Sequence, residues 1–309
     1  PAALTVPEAI IREEGPLEPH AYYRNKSLNS RVVGFDPEPE EHLRRVEAAI
    51  GTIETSKLDK VVLARAVDIE FPEAIDPRLV AARLIDLSAN RDGFIADLSP
   101  AGRPGAMLVG SSPEVLVKRQ GSTVSAFPLA GSSPRRATAA EDHIAGQDLL
   151  HSAKDLHEHS FVVEHLRRVL SPLCERLDIP DTPQLISTNE MWHLGTPISG
   201  TLKDKDLTAL ELALAAHPTP AICGTPAEAA QALIETAETD RGFYAGAVGW
   251  CDSSGDGEYM VAIRCAEVAG DGLSARAWAG GGIVGDSDAH AELEETTAKL
   301  RTILKALSL

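Results

Sequence analysis

Basic residues are in short supply: 29 Lys and Arg stand against 46 Asp and Glu, giving a formal net charge of −17. A surface this acidic repels phosphate backbones and anionic lipid, so neither nucleic acid nor a membrane is an expected partner. No apolar run approaches the roughly 18 residues that a membrane helix needs. A basic n-region followed by an apolar h-region is also missing, so no signal peptide is read. The chain starts Pro1-Ala2-Ala3 without an initiating Met, which leaves room for residues before it. Its four cysteines, Cys174, Cys223, Cys251 and Cys265, form no CxxC pair, so no zinc or dithiol motif is written locally. Scattered in this way they read as reduced thiols of a cytoplasmic protein. Internal repeats, low-complexity tracts and a clear linker are absent too.

What remains is an ordinary globular composition over 309 residues, 43% hydrophobic and 24% charged. That supports a sizeable core and one domain over residues 1–309, with 1–38 mostly irregular. Helices are expected at about 40–55, 77–87, 139–170, 206–216 and 227–236, and after residue 285. Leu149, Leu156, Val163 and Leu170 recur every seven residues, which suggests one apolar stripe along a single long helix. Strands are expected at about 60–69, 93–97, 106–109, 114–118, 123–127, 184–187, 193–200, 245–251, 257–268 and 272–279. The turns 252–256 and 270–272 carry good hairpin chemistry. Successive antiparallel strands with clustered helices argue for an α+β fold rather than a doubly wound sheet.

Gly280-Gly281-Gly282-Ile283-Val284-Gly285 matches GxGxxG between a strand and a helix. The dinucleotide reading fails because the chain ends with that helix, leaving no second parallel strand for a ribose-binding acid. A loop whose backbone amides meet a small anion is the better reading. His157 and His159 cannot chelate together, since residues two apart on a helix point about 200° apart. Between them Glu158 shares a face with Lys154, Phe161, Val162 and His165, where a carboxylate needs a partner such as a basic side chain. Glu292, Glu295 and Lys299 share a face of the last helix: a solvated charged face, or, with Glu158, hard oxygen ligands suited to Mg²⁺. Lys60 opens a strand among Val62, Ala64 and Ala66, either snorkelling from its end or facing a ligand. Arg264, inside an apparent strand, needs a carboxylate from the protein or a substrate.

Taken together these stretches resemble the chorismate-utilising enzymes, and most closely the isochorismate synthases. The resemblance rests on Lys60-Val61-Val62-Leu63-Ala64-Arg65, Gly110-Ser111-Ser112-Pro113-Glu114, Pro128-Leu129-Ala130-Gly131-Ser132 and Lys154-Asp155-Leu156-His157-Glu158-His159. It continues through Trp192-His193-Leu194-Gly195-Thr196-Pro197, His217-Pro218-Thr219-Pro220-Ala221, Gly249-Trp250-Cys251-Asp252, Ile263-Arg264-Cys265-Ala266, Ala279–Val284 and Glu292-Leu293-Glu294-Glu295. These come in family order over about residues 32–309, with a shortened N-terminal region. The resemblance implies one large domain of two packed antiparallel β-sheets wrapped by helices. It also implies Mg²⁺-dependent addition of water at C2 of chorismate with loss of the C4 hydroxyl, giving isochorismate for siderophore, menaquinone or salicylate synthesis.

By the same resemblance Lys60 activates water and Glu114 protonates the leaving hydroxyl. Glu158 and Glu295 are metal ligands, with Glu292 acting through water. Arg264 and the backbone amides of Gly131, Gly280, Gly281 and Gly282 hold carboxylates, and Ser132, His193 and Lys299 complete the pocket. Ala130 stands where aminodeoxychorismate synthases carry a nucleophilic lysine. Lys60 distinguishes the chain from anthranilate synthases, so no glutaminase subunit is expected, and the family's synthases suggest a monomer. Ala221 stands where salicylate synthases, which go on to eliminate pyruvate, carry Thr. A non-catalytic binding homologue is the remaining alternative, against which Lys60, Glu114, Glu158 and Glu295 all stand intact.

Overall fold

The computed structural model describes residues 1–11, 27–88 and 92–309. Along the chain run β1 (Arg31–Asp36), α1 (Pro39–Thr55), β2 (Lys60–Glu70), α2 (Pro77–Leu87), β3 (Phe94–Asp97) and β4 (Met107–Gly110). Next come β5 (Val115–Gln120), β6 (Thr123–Phe127), β7 (Leu129–Pro134), α3 (Ala139–His151) and α4 (Ala153–Leu170). They are followed by β8 (Cys174–Asp178), β9 (Gln184–Ser187), β10 (Met191–Gly195), β11 (Ile198–Leu202), α5 (Ala209–Ala216), β12 (Gly224–Thr225) and α6 (Ala227–Ala237). The last elements are β13 (Ala247–Cys251), β14 (Gly257–Val261), β15 (Cys265–Val268), β16 (Ser274–Ile283) and α7 (Ala289–Ala306).

The fold is α+β. Among the described residues the strands form two large antiparallel sheets and a small third one. The first large sheet has the order β1-β2-β16-β15-β4-β3, with β12 also paired to β2. The second has the order β13-β14-β5-β6-β11-β8, and β7-β10-β9 make the small sheet. β2 is an almost unbroken apolar run because both its faces are covered. Ala64 and Ala66 join a core shared with β5, β6, β11, α4 and α5. The alternate residues Val67 and Ile69 pack with α2 and α7 on the other face, and Val61 and Leu63 with residues of α1 and α6. No helix among the described residues is long and apolar enough to cross a membrane.

Several sequence expectations change. Of the stretch 1–38 read as irregular, residues 31–36 are β1, paired to β2, and 12–26 lie outside the described residues. The expected single helix over 139–170 is two helices, broken at Ser152, which ends α3 and caps α4 through its hydroxyl on the Asp155 amide. The break resets the helical phase. The buried face of α4 is therefore Glu158, His159, Val162, Leu166 and Leu170, while Leu156 and Val163 are only half-buried. The stretch 193–200 is not one strand: β10 and β11 belong to different sheets and part at Thr196-Pro197. Strands β7 and β8 and the short β12 carry too little alternation to be read from sequence.

Two corrections touch the site directly. Gly280, Gly281 and Gly282 are not a loop, because β16 runs on to Ile283 and stays paired to β2 as far as Val61. Arg264 is not inside a strand. β14 ends at Val261 and β15 begins at Cys265, and between them Arg264 adopts φ +51°, with its carbonyl accepting from the Ser111 amide at 3.1 Å.

The second correction exposes the plan of the molecule. The chain crosses from the first large sheet to the second between β4 and β5, through Ser111–Glu114, and crosses back between β14 and β15, through Ala262–Arg264. It enters the small sheet at Pro128, between β6 and β7, returns to the second large sheet for β8, and after β9 and β10 leaves the small sheet at Thr196-Pro197. Pro113, Pro128 and Pro197 suit such crossings, since proline donates nothing to a ladder. These four crossings gather at one seam, whereas β12 joins the first sheet elsewhere, at the edge of β2.

Candidate active site

A cleft opens at this seam. Of the residues singled out in the sequence, Glu114, Gly131, Ser132, Glu158, His193, Arg264, Gly280, Gly282, Glu295 and Lys299 line it. Ala130 and Ala221 line it as well. Lys60 sits behind that lining, fully buried, with Nζ 3.0 Å from Glu158 Oε1. Its direction is outside hydrogen-bonding range, so the contact is an ion pair without a directed bond. Glu292 lines an adjoining acidic pocket that shares Ser132 and Glu295 with the cleft. Gly281 lies on the opposite face of β16 from Gly280 and Gly282 and meets α7 instead.

The glycines are required by close approach. A Cβ on Gly282 would fall 2.2 Å from Glu158 Oε1 and 2.9 Å from Lys60 Cε. One on Gly281 would fall 3.1 Å from Glu292 Oε2, and one on Gly280 2.9 Å from the Tyr244 hydroxyl. Gly131 has φ +76° and packs against Asp155 and Leu194. Strand β16 thus brings carboxylates and a lysine against bare backbone, which a side chain at these positions would prevent.

Arg264 is 6% exposed, and among the described residues no carboxylate lies within ion-pair distance of it. Its Nη2 donates to His193 Nε2 at 3.2 Å. Burial, helped by Arg264 and Lys299, holds His193 well below the usual imidazole range, so the ring is neutral and can accept. Burial also brings Arg264 down to about 10, leaving it charged at neutral pH. The result is a desolvated guanidinium beside a cleft with a neutral neighbour, an arrangement that receives a carboxylate from outside.

Glu114 is 3% exposed and sits at the first crossing. Burial pushes its carboxyl up to about 7, against the pull of the Leu129 amide and of Lys60, Lys299 and Arg264. Glu158 goes the other way. Burial raises it, but Lys60, Lys154 and Lys299 together draw it below the usual carboxylate range. One cleft therefore holds a carboxyl poised to give a proton near neutrality and another held ionised.

Each expected metal ligand is turned towards a lysine: Glu158 to Lys60, Glu292 to Lys154 at 2.8 Å, and Glu295 to Lys299 at 2.5 Å. The expected convergence is accordingly partial. Among the described residues no three His, Cys, Asp or Glu side chains are spaced to hold a metal ion by themselves. The donor chemistry nevertheless fits a hard divalent cation. Glu292 Oε1 takes Lys154 and Ser287, whereas its buried Oε2 has no hydrogen-bond partner among the described residues. Burial and then the neighbouring Glu295 push Glu292 up to about 7 despite Lys154. A cation that keeps its waters and takes one or two carboxylates suits this set.

Sequence reasoning missed four contributors. Tyr244 and Trp278 line the cleft as a stacked pair with centroids 5.9 Å apart. No motif marks them: Tyr244 lies in an irregular segment, and Trp278 stands in the strand expected at 272–279 with no pattern to single it out. Lys154 enters the sequence reading only as a neighbour of Glu158, although it holds Glu292 in the adjoining acidic pocket. His159 ties the seam together: its ring bonds the Ala130 carbonyl at 3.0 Å and the Thr196 hydroxyl at 2.7 Å. Burial holds it near 4, so it is a neutral clamp, and its place on the buried face of α4 was the available signal.

Comparison with known proteins agrees with this geometry. The family model described as chorismate binding enzyme matches residues 10–308. A protein of Mycobacterium tuberculosis named for isochorismate synthase MenF is 46% identical over 318 residues, covering 99% of this chain and 83% of its own. Isochorismate synthase DhbC of Bacillus subtilis is 43% identical over 310 residues, covering 99% and 77%. The crystal structure of a Bacillus anthracis DhbC superposes with TM-score 0.87 at 41% identity, covering 92% of this chain and 75% of that one. The chain belongs to the chorismate-binding enzyme family.

Proposed function

We propose that this protein is an isochorismate synthase, which converts chorismate reversibly to isochorismate. The observation that carries the reading is Arg264: a buried cation without a carboxylate, in the same cleft as a protonatable Glu114 and next to Lys60. Chorismate brings two carboxylates. Arg264 receives one, with His193 fixing its orientation. Lys60, in its neutral amine form, takes a proton from water as the oxygen bonds to C2. The ring double bond shifts, and the C4 hydroxyl leaves as water with the proton that Glu114 supplies. One water enters and one departs, so atoms balance, and the return path uses the same two groups with their roles exchanged.

Glu158 and Glu295, with Glu292 through water, would hold Mg²⁺. When bound, the ion supplies positive charge for a substrate carboxylate in a chain that is otherwise strongly acidic. Ala130 supplies no amine nucleophile, and Ala221 supplies no hydroxyl towards the enolpyruvyl group, so the reaction is expected to stop at isochorismate. The enzyme works on water without a glutaminase subunit, as a monomer of the cytoplasm. Chromatography of products from chorismate with Mg²⁺ tests this: isochorismate should accumulate, and added isochorismate should return chorismate. Stoichiometric pyruvate and salicylate would instead assign a salicylate synthase, and unchanged chorismate a binding protein.

A further inference from the structure

The outer edge of β2 is interrupted. β1 pairs with it from Ala66 to Glu70 and β12 pairs with Lys60 and Val61, so among the described residues no strand lies beside 62–65 on that edge. The other edge is paired with β16 throughout. The amide and carbonyl of Val62 and the amide of Ala64 point into the gap, and buried backbone groups of this kind are costly to leave unpaired.

Three groups stand in for the missing strand. The Cys223 carbonyl accepts from the Val62 amide at 2.8 Å. The Glu238 carboxylate accepts from the Ala64 amide at 2.7 Å. Arg241 Nη2 donates to the Val62 carbonyl at 2.7 Å. Glu238 and Arg241 also fix one another: Nε and Nη2 each meet a carboxylate oxygen at 2.7 Å, and the two side chains are only 6% and 14% exposed. The remaining arm of the guanidinium, Nη1, donates to the Ile222 carbonyl at 2.9 Å. One planar fork therefore joins β2 to the turn at 219–223. That turn moves as a unit, because the Thr219 carbonyl accepts from the Ile222 and Cys223 amides at 3.1 Å and its hydroxyl from the Ala221 amide at 3.3 Å.

Both ends of this clamp face the active site. Val62, Ala221 and Ile222 line the cleft, and Arg241 does not. A fork with fixed spacing can hold two carbonyls apart at a set distance, which a single ammonium cannot do. We propose that Arg241, oriented by Glu238, is a positioning residue that fixes the Val62 wall of the cleft against the Ala221–Ile222 wall and so sets how closely chorismate fits between them. For its substrate the proposal rests on the isochorismate synthase reading; the clamp itself rests on the hydrogen bonds alone.

Amide hydrogen exchange and steady-state kinetics test it together. In the wild-type chain the Val62 and Ala64 amides should exchange as slowly as the amides of β2 that are bonded to β16, and exchange at the rate of an open sheet edge would overturn the proposal. Arg241→Lys keeps the charge beside Glu238 but cannot hold both carbonyls. It should speed exchange at Val62 about tenfold and raise KM for chorismate about tenfold, with kcat within about threefold of the wild type. Arg119→Lys is the control for a loss of stability alone. Arg119 is a buried arginine that likewise ties two backbone carbonyls, those of Lys205 and Ser254, and none of these residues lines the cleft. Its variant should lower Tm by a few degrees, as Arg241→Lys does, and leave KM unchanged. Wild-type KM and Val62 exchange in Arg241→Lys, or an equal rise of KM in Arg119→Lys, would each refute the positioning role. If Arg241→Lys does not fold, exchange in the wild-type chain decides. A wild-type chain that leaves chorismate unchanged removes the functional reading instead, and the clamp is then judged by Val62 exchange in Arg241→Lys.

Discussion

Replacing Gly282 by Ala puts the site's geometry to a graded test. The new methyl would lie 2.2 Å from Glu158 Oε1, more than 1 Å inside ordinary van der Waals contact. β16 is fixed by its pairing with β2, so the strand cannot retreat. The carboxylate at the end of Glu158 must move instead, and the Lys60 pair, now 3.0 Å apart, opens. At an effective dielectric of about 20, lengthening such a pair from 3.0 to about 4.5 Å costs about 2 kcal/mol. That corresponds to a rate loss of roughly 20-fold if the lost interaction orders the reacting groups. Gly281→Ala is the internal control. Its methyl meets Glu292 Oε2 at 3.1 Å, so the neighbour gives by only a few tenths of an ångström. Turnover of chorismate and thermal unfolding should be measured for both. The expected outcome is a roughly 20-fold lower kcat for Gly282→Ala and a few-fold loss for Gly281→Ala, with Tm lowered by only a few degrees. Full turnover in Gly282→Ala, or a more severe loss in Gly281→Ala, would refute the reasoning.

Lys60→Ala should lose about 10²–10⁴ of kcat, the usual worth of a positioned base, and near-normal turnover would remove it from that role. The acid Glu114 titrates at about 7, so the forward rate should fall as pH rises through that value, and Glu114→Gln should abolish both the fall and most of the rate. The same raised carboxyl favours the fold fully below its unfolded value of 4.5, and that contribution is lost as pH climbs through 7, so urea titrations of Glu114→Gln should show a shallower loss of stability over that window. A chelator should abolish turnover and Mg²⁺ restore it, and calorimetry should show weaker Mg²⁺ binding to Glu292→Gln; chelator-insensitive turnover would contradict the metal assignment.

Local signals predicted the regular elements best where the chain punctuates itself. α2 begins at Pro77 behind an Asp76 cap and ends at Leu87, the limits read from sequence, and the 252–256 turn joins β13 to β14 as its Gly and Asp content suggests. Strand pattern, however, says only that a residue alternates between two faces. It does not say which sheet the strand joins. A run such as 257–268 therefore reads as one strand, although its two halves pair with different sheets and the joint carries Arg264 in a left-handed conformation. The same ambiguity hid the glycines of β16, whose turn-like composition reflects what packs against them rather than how the backbone runs. Both errors share one cause. The site occupies the seam between sheets, where strand pattern stops being informative and where Arg264, Glu114 and the proline crossings escape ladder pairing. Removing a side chain from a paired strand is the less obvious half of the design: it lets Lys60 and Glu158 meet across β16, which no loop of equal length would hold as firmly. The order of severity expected for Gly282→Ala and Gly281→Ala follows from that strand and would not follow from the anion-binding loop that the sequence alone suggests.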